Sequence, residues 1–389
     1  MSGHKPRGRV PSPRHIVLRI SGFVLDYLVA LPLGCLIGLT WANIEPESYY
    51  RFAHPATFYV NDIGFAFFIA LITKEITEAT LPGGPLHPWQ RAALSVAAAV
   101  GGALFSVAGY LWFLDYVDEP ILREGWVASC AVDIAASYVV ARLIFGRHAA
   151  VPFMLLVAMA VNGIGLLFVA TMRTVSEVQP TLGLALIGVA VGGAAVLRRR
   201  DVQNFWWYLL GPGVLSWLGM YFGGVQPALA LVPIVPFMPH GLRDPGLLVE
   251  SPPEAHDTLT MFERWWRLPV EGVLLFFGIV NAGVPLFGLE PGTWAIPVAA
   301  VARPFGVVIA TGLALAAGLH LPKHVGWKEL IVVAVTTSTG LVFALFFATV
   351  VMPPGPVLQE MKMGALLTVG GVVLAFVTAF VLRVGRFAR

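Results

Sequence analysis

Charged residues are scarce in this chain of 389 residues: Asp, Glu, Lys and Arg make up 12% of it, and hydrophobic residues make up 57%. Ordinary soluble domains carry about 25% charged residues. This shortage excludes a water-soluble enzyme built around one core. It predicts an all-α, polytopic membrane protein instead.

Cysteine and histidine do not occur in the patterns that disulfides, metal sites or catalytic sites require. The only two cysteines, Cys35 and Cys130, lie in apolar stretches, which excludes a disulfide framework and a cysteine-based zinc site. All nine histidines fall in tails or loops, and the pair His320 and His324 lies in a loop with a proline. No phosphate-binding loop or nucleophile motif occurs. We therefore expect no enzyme, no cofactor, no resident metal and no nucleic-acid partner.

Long apolar runs dominate the sequence. A bilayer core about 30 Å thick requires about 20 apolar residues per helix. About twelve runs reach or approach this length, although the eighth is short and contains three prolines. The predicted spans are 20–42, 57–79, 92–116, 125–145, 150–171, 180–197, 203–222, 224–238, 269–288, 293–318, 326–352 and 357–383.

Basic residues are distributed unevenly between the loops. Most lie in the N-terminal tail 1–19, in the loops after even-numbered spans and at the C-terminus. The opposite loops contain only Arg51, Arg123, Arg173 and Lys362. Because loops rich in Lys and Arg stay on the cytoplasmic side, we expect an inner-membrane protein with both termini in the cytoplasm. Its tail would be basic, and residues 20–385 would form the transmembrane domain.

Several polar residues fall deep within the spans. Asp133 and Arg303 lie near the middle of 125–145 and 293–318, and the neutral Asn162 is central in 150–171. A charge near the bilayer centre costs several kcal/mol unless it is paired or hydrated. We therefore expect Asp133 and Arg303 to face the interior, within direct or water-mediated reach of each other. A buried ion pair that only locks helices together is the alternative.

The second span carries a charged group at one end. Lys74, Glu75 and Glu78 lie near its expected cytoplasmic end, and Asp62 lies nearer its start. The spacing places Glu75 and Glu78 on one helix face, with Lys74 off that face but close by. This predicts a charged cytoplasmic entrance, or otherwise an ordinary charged helix end.

Two spans contain small and hydroxyl residues at mid-depth. These are Ser129–Asp133 in 125–145 and Thr336–Gly340 in 326–352. Hydroxyls that bond back to their own helix are the simpler explanation, but paired interrupted helices are typical of secondary transporters. The segments lie seven spans apart, so 92–171 and 293–383 would be triplets of opposite topology. We expect both helices to be interrupted and to cross near each other.

These segments resemble the family of NhaA-type Na⁺/H⁺ antiporters. The similarity extends over residues 20–385. It is carried by REGWVASCAVDIAASYVVARLIFGR (123–147, family span four), NAGVPLFG (281–288, end of span nine), ARPFG (302–306, the span-ten KPLG motif), VNDIGFAFF (60–68, span two) and LHLP (319–322). The resemblance implies a core of two inverted triplets that moves against a panel of the other helices. The panel usually forms a dimer contact.

The resemblance also implies roles for single residues. Asp133 matches the aspartate of the first broken helix, and Gly340 matches a glycine of the second. Asp62 matches an aspartate of the periplasmic path, and Glu75 matches a carboxylate implicated in pH response. Arg303 stands where the family has a lysine.

The fifth span departs from the family pattern. The family's Asp-Asp pair is replaced by Asn162-Gly163, and a threonine before the span-four aspartate is replaced by Val132. An amide does not titrate, and arginine does not release a proton in a protein. The expected ion site is therefore degenerate. It comprises Asp133, Asn162, Gly163, Arg303, Thr337, Ser338, Thr339 and Gly340.

Three functions remain open from the sequence. The chain could be a Na⁺/H⁺ antiporter that uses Asp133 as its central carboxylate. It could be a transport-inactive homologue that serves as a subunit of a larger membrane complex. It could also transport another, anionic, solute by means of Arg303 and helix N-termini.

Overall fold

The computed structural model describes residues 29–80, 89–146, 148–171, 179–240, 257–286, 289–322 and 324–388. These residues form helices and no strands. Six helices are long and apolar enough to cross a membrane, or up to eight if each of two bent pairs is one span. The chain is thus a multi-pass, all-α membrane protein, as expected. The predicted tail 1–19 and the first part of the first span lie outside the described residues.

Fifteen α-helices occur in the described residues. In chain order they are α1 (Ala30–Ile44), α2 (Pro46–Thr57), α3 (Phe65–Thr80), α4 (Trp89–Val117), α5 (Ile134–Phe145), α6 (Ala150–Thr171), α7 (Pro180–Arg199), α8 (Phe205–Tyr208), α9 (Val214–Gly223), α10 (Thr258–Ala282), α11 (Ala295–Ala316), α12 (Trp327–Thr336), α13 (Leu341–Val351), α14 (Pro356–Leu367) and α15 (Gly370–Leu382). The π-helical segments Phe58–Gly64 and Leu209–Gly213 join α2 to α3 and α8 to α9.

The predicted eighth span, 224–238, is wrong as a long helix. It contains two short 3₁₀ turns, Pro227–Leu229 and Val235–Phe237. Its prolines lack the N–H groups that a continuous helix requires. Both turns nevertheless pack against α3. Gln226 donates to Asp62 before the first turn, and Arg198 on α7 donates to the carbonyl oxygen of Pro236 in the second.

Both predicted interruptions are confirmed. The 3₁₀ segment Pro120–Cys130 and α5 are bent by 51°, and α12 and α13 are bent by 46°. The two breaks touch, because the Asp133 N–H donates to the Thr339 carbonyl at 2.7 Å. A Cβ at Gly340 would lie 2.9 Å from the Ala131 carbonyl oxygen. The small residues therefore allow the two broken helices to cross in direct contact.

Close helix packing holds other elements around this crossing. Gly101 on α4 and Gly306 on α11 meet backbone to backbone, so a Cβ at either position would overlap the other's carbonyl group. Gly34 and Gly38 on α1 approach α10 in the same way. Small residues permit such close approach between helices in a bilayer. The α4–α11 contact fixes the position of Arg303, which lies on α11.

Candidate functional site

Asp133 lies where two helices begin. It is the N-cap of α5, and its carboxylate accepts a hydrogen bond from the Ala136 N–H at 3.0 Å. The N–H of Val342, in the first turn of α13, also faces this carboxylate. Only 2% of Asp133 is exposed. Because a helix N-terminus carries partial positive charge, the carboxylate stabilises both helix starts.

Arg303 lies where the first half of each broken helix ends. Its Nη1 donates to the Thr337 carbonyl after α12, and its Nη2 donates to the Ser129 carbonyl near the end of segment 120–130. Its Nε donates to the Ser106 hydroxyl on α4 at 2.9 Å. The guanidinium thus binds two carbonyl ends that carry partial negative charge.

Asp133 and Arg303 are both inside the protein, as expected, and their expected contact, direct or water-mediated, stays a prediction in its water-mediated form. No ion pair joins them among the residues that the structure describes. Each is balanced by helix ends of the opposite sign instead. The sequence did not reveal this, because the orientation of four half-helix ends becomes clear only once the helices cross.

Asn162 on α6 binds the first break. Its Oδ1 accepts from the Val132 N–H at 2.9 Å, and its Nδ2 donates to the Val132 carbonyl at 2.7 Å. The peptide groups released by the interruption are therefore satisfied by one side-chain amide, as a buried break requires. The Asn162 side chain thus supports the backbone of the break.

Gly163 is different, because a side chain there would meet open space. A Cβ built on Gly163 has no heavy atom within 4 Å, and the residue is half-buried. The position next to Asn162 thus has room for a larger side chain.

The hydroxyl residues of the second break divide into two groups. The hydroxyls of Thr336 and Thr337 donate to the carbonyl oxygens of Val333 and Ala334, each at 2.6 Å. These two side chains therefore bond back to their own helix, which was the simpler of the two explanations. The hydroxyl of Ser338 is buried and has no hydrogen-bond partner in the described structure.

Backbone groups tie the second break to its neighbours. The Thr339 carbonyl accepts from Asp133, as described above, and the Gly340 N–H donates to the Thr368 hydroxyl at 3.1 Å. Thr368 follows α14, and nothing in its local sequence distinguished it as a partner.

The charged group on α3 is a cluster of four residues from two helices. Lys74 Nζ lies 3.2 Å from Glu75, 2.7 Å from Glu78 and 2.8 Å from Glu263 on α10. Lys74 is 1% exposed. We call these four residues the Lys74 cluster. Sequence reasoning missed Glu263, because a contact between distant spans leaves no local signal.

Asp62 lies apart from the crossing, at the other end of the second predicted span. Gln226 Nε2 donates to its carboxylate at 2.8 Å, and Trp217 Nε1 donates to its backbone carbonyl at 2.9 Å. Asp62 thus connects the π-helical segment Phe58–Gly64 to α9 and to the segment after it.

Comparison with known proteins gives consistent results. The family model described as Na⁺/H⁺ antiporter 1 matches residues 33–382. The chain is 40% identical over 372 residues to the Na(+)/H(+) antiporter NhaA of Desulfitobacterium hafniense (strain DSM 10664 / DCB-2), covering 92% of this chain and 95% of that protein. It is 36% identical over 375 residues to Na(+)/H(+) antiporter NhaA 1 of Pelobacter propionicus, covering 93% and 97%.

A solved structure shares the fold. The sodium proton antiporter MjNhaP1 from Methanocaldococcus jannaschii, determined at pH 8, superposes with a TM-score of 0.55 at 16% sequence identity. The match covers 95% of this chain and 94% of that one. At this identity the likeness concerns the fold alone.

Proposed function

The chain belongs to the Na⁺/H⁺ antiporter 1 family, and we propose that it is a secondary transporter that exchanges Na⁺ for H⁺. One observation carries this proposal: the crossing is complete and balanced in charge. Asp133 faces two helix N-termini, and Arg303 binds two C-terminal carbonyls. Such paired half-helices at mid-membrane are the binding architecture of secondary transporters.

Asp133 is the group that we assign to exchange at the crossing. A carboxylate can bind either a proton or a cation, and the neighbouring Asn162 and Gly163 cannot replace it. The backbone carbonyl of Thr339 and the hydroxyl of Ser338 supply neutral oxygen atoms at the same break. Exchange at Asp133 alone is expected to be weak, because the family uses more than one carboxylate.

The remaining charged residues are assigned to the pathway. The Lys74 cluster would mark the cytoplasmic entrance, where Glu75 and Glu78 respond to pH. Asp62 would lie on the periplasmic path, near the opposite end of the second predicted span. This sidedness rests on the excess of Lys and Arg in the loops expected to be cytoplasmic, which also supports an inner-membrane location.

The family relationship also suggests which helices form the mobile core and which form the panel. Residues 92–171 and 293–383 would form the core that carries the crossing. The remaining helices would form a panel, with a homodimer contact on it. The close contact of Gly101 with Gly306 supports motion of α4 and α11 as one body.

The two other functions suggested by the sequence have no observation in their favour. An anionic solute would need the guanidinium of Arg303, but its Nε, Nη1 and Nη2 all donate to protein oxygens. A role as an inactive subunit would require a partner, and the known relatives in the comparison are named as antiporters.

Transport in proteoliposomes tests the proposal. We expect Na⁺ gradients to drive proton movement, and we expect Asp133→Asn to abolish it. Asp115→Asn is the matched control, because Asp115 pairs with Arg123 at the exposed surface. A wild-type protein that is silent with Na⁺, Li⁺ and K⁺ would refute antiport.

A further inference from the structure

A further buried carboxylate lies on α10, outside the residues that match the family's site. Glu271 is 5% exposed, and its Oε1 has no hydrogen-bond partner in the described structure. A buried carboxylate with an oxygen atom that lacks a hydrogen-bond partner is costly if it stays ionised. It is therefore expected to hold a proton or a cation.

Helix geometry places Glu271 between the Lys74 cluster and the crossing. Gly278 on α10 packs against Cys35 on α1, since a Cβ at Gly278 would lie 2.6 Å from the Cys35 nitrogen. Cys35 is in turn within electrostatic range of Asp133. Glu271 lies seven residues before Gly278, about 10 Å along the helix axis. Glu263 of the cluster lies eight residues earlier, about 12 Å further.

These α10 residues also share one helix face. Positions 263, 267, 271, 274 and 278 follow spacings of four, four, three and four residues, which keeps side chains on one face. Leu274 and Gly278 are buried on this face. The side chain at 271 therefore lies on the buried face of α10, between Glu263 of the Lys74 cluster and Gly278.

We propose that Glu271 is a second cation- and proton-binding carboxylate, which occupies the path between the Lys74 cluster and Asp133. This inference rests on the proposed antiport and deepens it. When Na⁺ arrives, the O–H bond of the Glu271 carboxyl breaks, the proton leaves to water, and the carboxylate binds the cation. The step reverses when the cation leaves, so one carboxyl exchanges one proton for one Na⁺.

Few charged groups act on Glu271. Among the described residues, Arg267, one turn earlier on α10, is the charged residue that interacts electrostatically with the Glu271 carboxyl group. The elements packed against α10 bring Cys35 on α1, Glu47, Tyr49, Tyr50, Arg51 and His54 on α2, Tyr59 and Asp62 on segment 58–64, Lys74, Glu75 and Glu78 on α3, Tyr208 on α8, and Glu360 with Lys362 on α14, while α13 carries no titratable side chain. Arg267 favours the ionised carboxylate, whereas burial favours the protonated form.

Difference infrared spectroscopy tests the assignment without transport, because it detects the carbonyl stretch of a protonated carboxyl group. The wild-type protein should show a carboxyl band that is lost when Na⁺ is added. The Glu271 component of this band should be absent in Glu271→Gln, where only the component from Asp133 remains, and the band should be unchanged in Glu47→Gln. Glu47 is the matched control because its side chain is 90% exposed in a surface pair with Arg51.

Proteoliposomes provide the second measurement. Glu271→Gln should lower Na⁺-driven proton flux about tenfold and flatten its pH dependence, and Glu271→Asp should retain part of both. Glu47→Gln should stay within about twofold of wild type. If Glu271→Gln does not fold, the carboxyl band and flux of Glu271→Asp decide the question.

The two proposals fail in different ways. Wild-type flux, an unchanged pH profile and an unchanged carboxyl band in Glu271→Gln would overturn the role of Glu271 and leave antiport standing. A Na⁺-sensitive band at Glu271 in a protein without any cation-driven flux would overturn antiport and leave the Glu271 site standing.

Discussion

Asn162 and Val132 form two hydrogen bonds that run in opposite directions. The side-chain amide accepts from the Val132 N–H and donates to the Val132 carbonyl. A carboxylate has the same shape but no donor. The amide at this position is thus matched to the broken helix, because it supplies both the donor and the acceptor that Val132 needs.

Asn162→Asp should therefore destabilise the protein. The Val132 carbonyl would lose its donor, and an additional buried charge would lie near Asp133. Leaving one buried partner unsatisfied costs about 1–3 kcal/mol, which should lower the melting temperature in detergent. Gln179→Glu, at the exposed start of α7, is the control. An unchanged melting temperature in Asn162→Asp would contradict the structural role.

Gly163→Asp should raise Na⁺-dependent proton flux. The added side chain enters open space and restores a titrating group next to the crossing. A tenfold rise corresponds to about 1.4 kcal/mol, and we expect an effect of roughly that size. Gly163→Asn is the matched control, because it has the same shape without a titrating proton. Equal flux in the two variants would argue against proton capacity as the limiting factor.

The double variant Asn162→Asp/Gly163→Asp separates the two effects. We expect higher flux than in wild type together with a lower melting temperature than in Gly163→Asp alone. Flux is measured in proteoliposomes and melting in detergent on the same preparations. Flux in the double variant below that of wild type would show that the family's acidic pair no longer suits this crossing.

Arg303→Met should destabilise the protein strongly. It would leave the carbonyls of Thr337 and Ser129 without their charged donor, at a cost of about 3–5 kcal/mol if they behave as a broken buried ionic contact. Arg303→Lys should cost less, because one ammonium retains the charge but lacks the fork that reaches both ends. The measurement is thermal melting. Arg142→Met, which removes a surface cation–π contact with Tyr138, is the control.

Lys74→Met should make stability depend on pH. Without the ammonium, the carboxylates of Glu75, Glu78 and Glu263 lose their shared cation. The variant should melt well below wild type at neutral pH. The difference should shrink on acidification, because protonated carboxyls no longer repel each other. Lys328→Met serves as the control. A deficit that is the same at every pH would contradict a mainly electrostatic role.

The sequence predicted the interruptions because their cause is local. Small and hydroxyl residues at mid-span, including Gly340, identify both breaks without knowledge of the fold. The same local reasoning failed for 224–238, where apolar composition indicated a span but three prolines prevented a regular helix.

The pairing of charges could not be predicted in the same way. Asp133 and Arg303 were each correctly expected in the interior, but their partners are backbone groups of helices distant in sequence. Glu263 and Glu271 were missed for a related reason. Their significance depends on which face of α10 turns inward, and this face is defined by contacts with α1 and α3.

The contact between Gly101 and Gly306 has a consequence for biosynthesis. These residues lie in opposite halves of the chain, and α4 is made long before α11 leaves the ribosome. Until then, the first break has neither the Arg303 guanidinium nor the Thr339 carbonyl that later satisfies it. Until the later half is made, these polar backbone groups must therefore be hydrogen-bonded to water or to the insertion machinery. Final assembly of the crossing is consequently a late, post-insertion event that depends on completion of the C-terminal half.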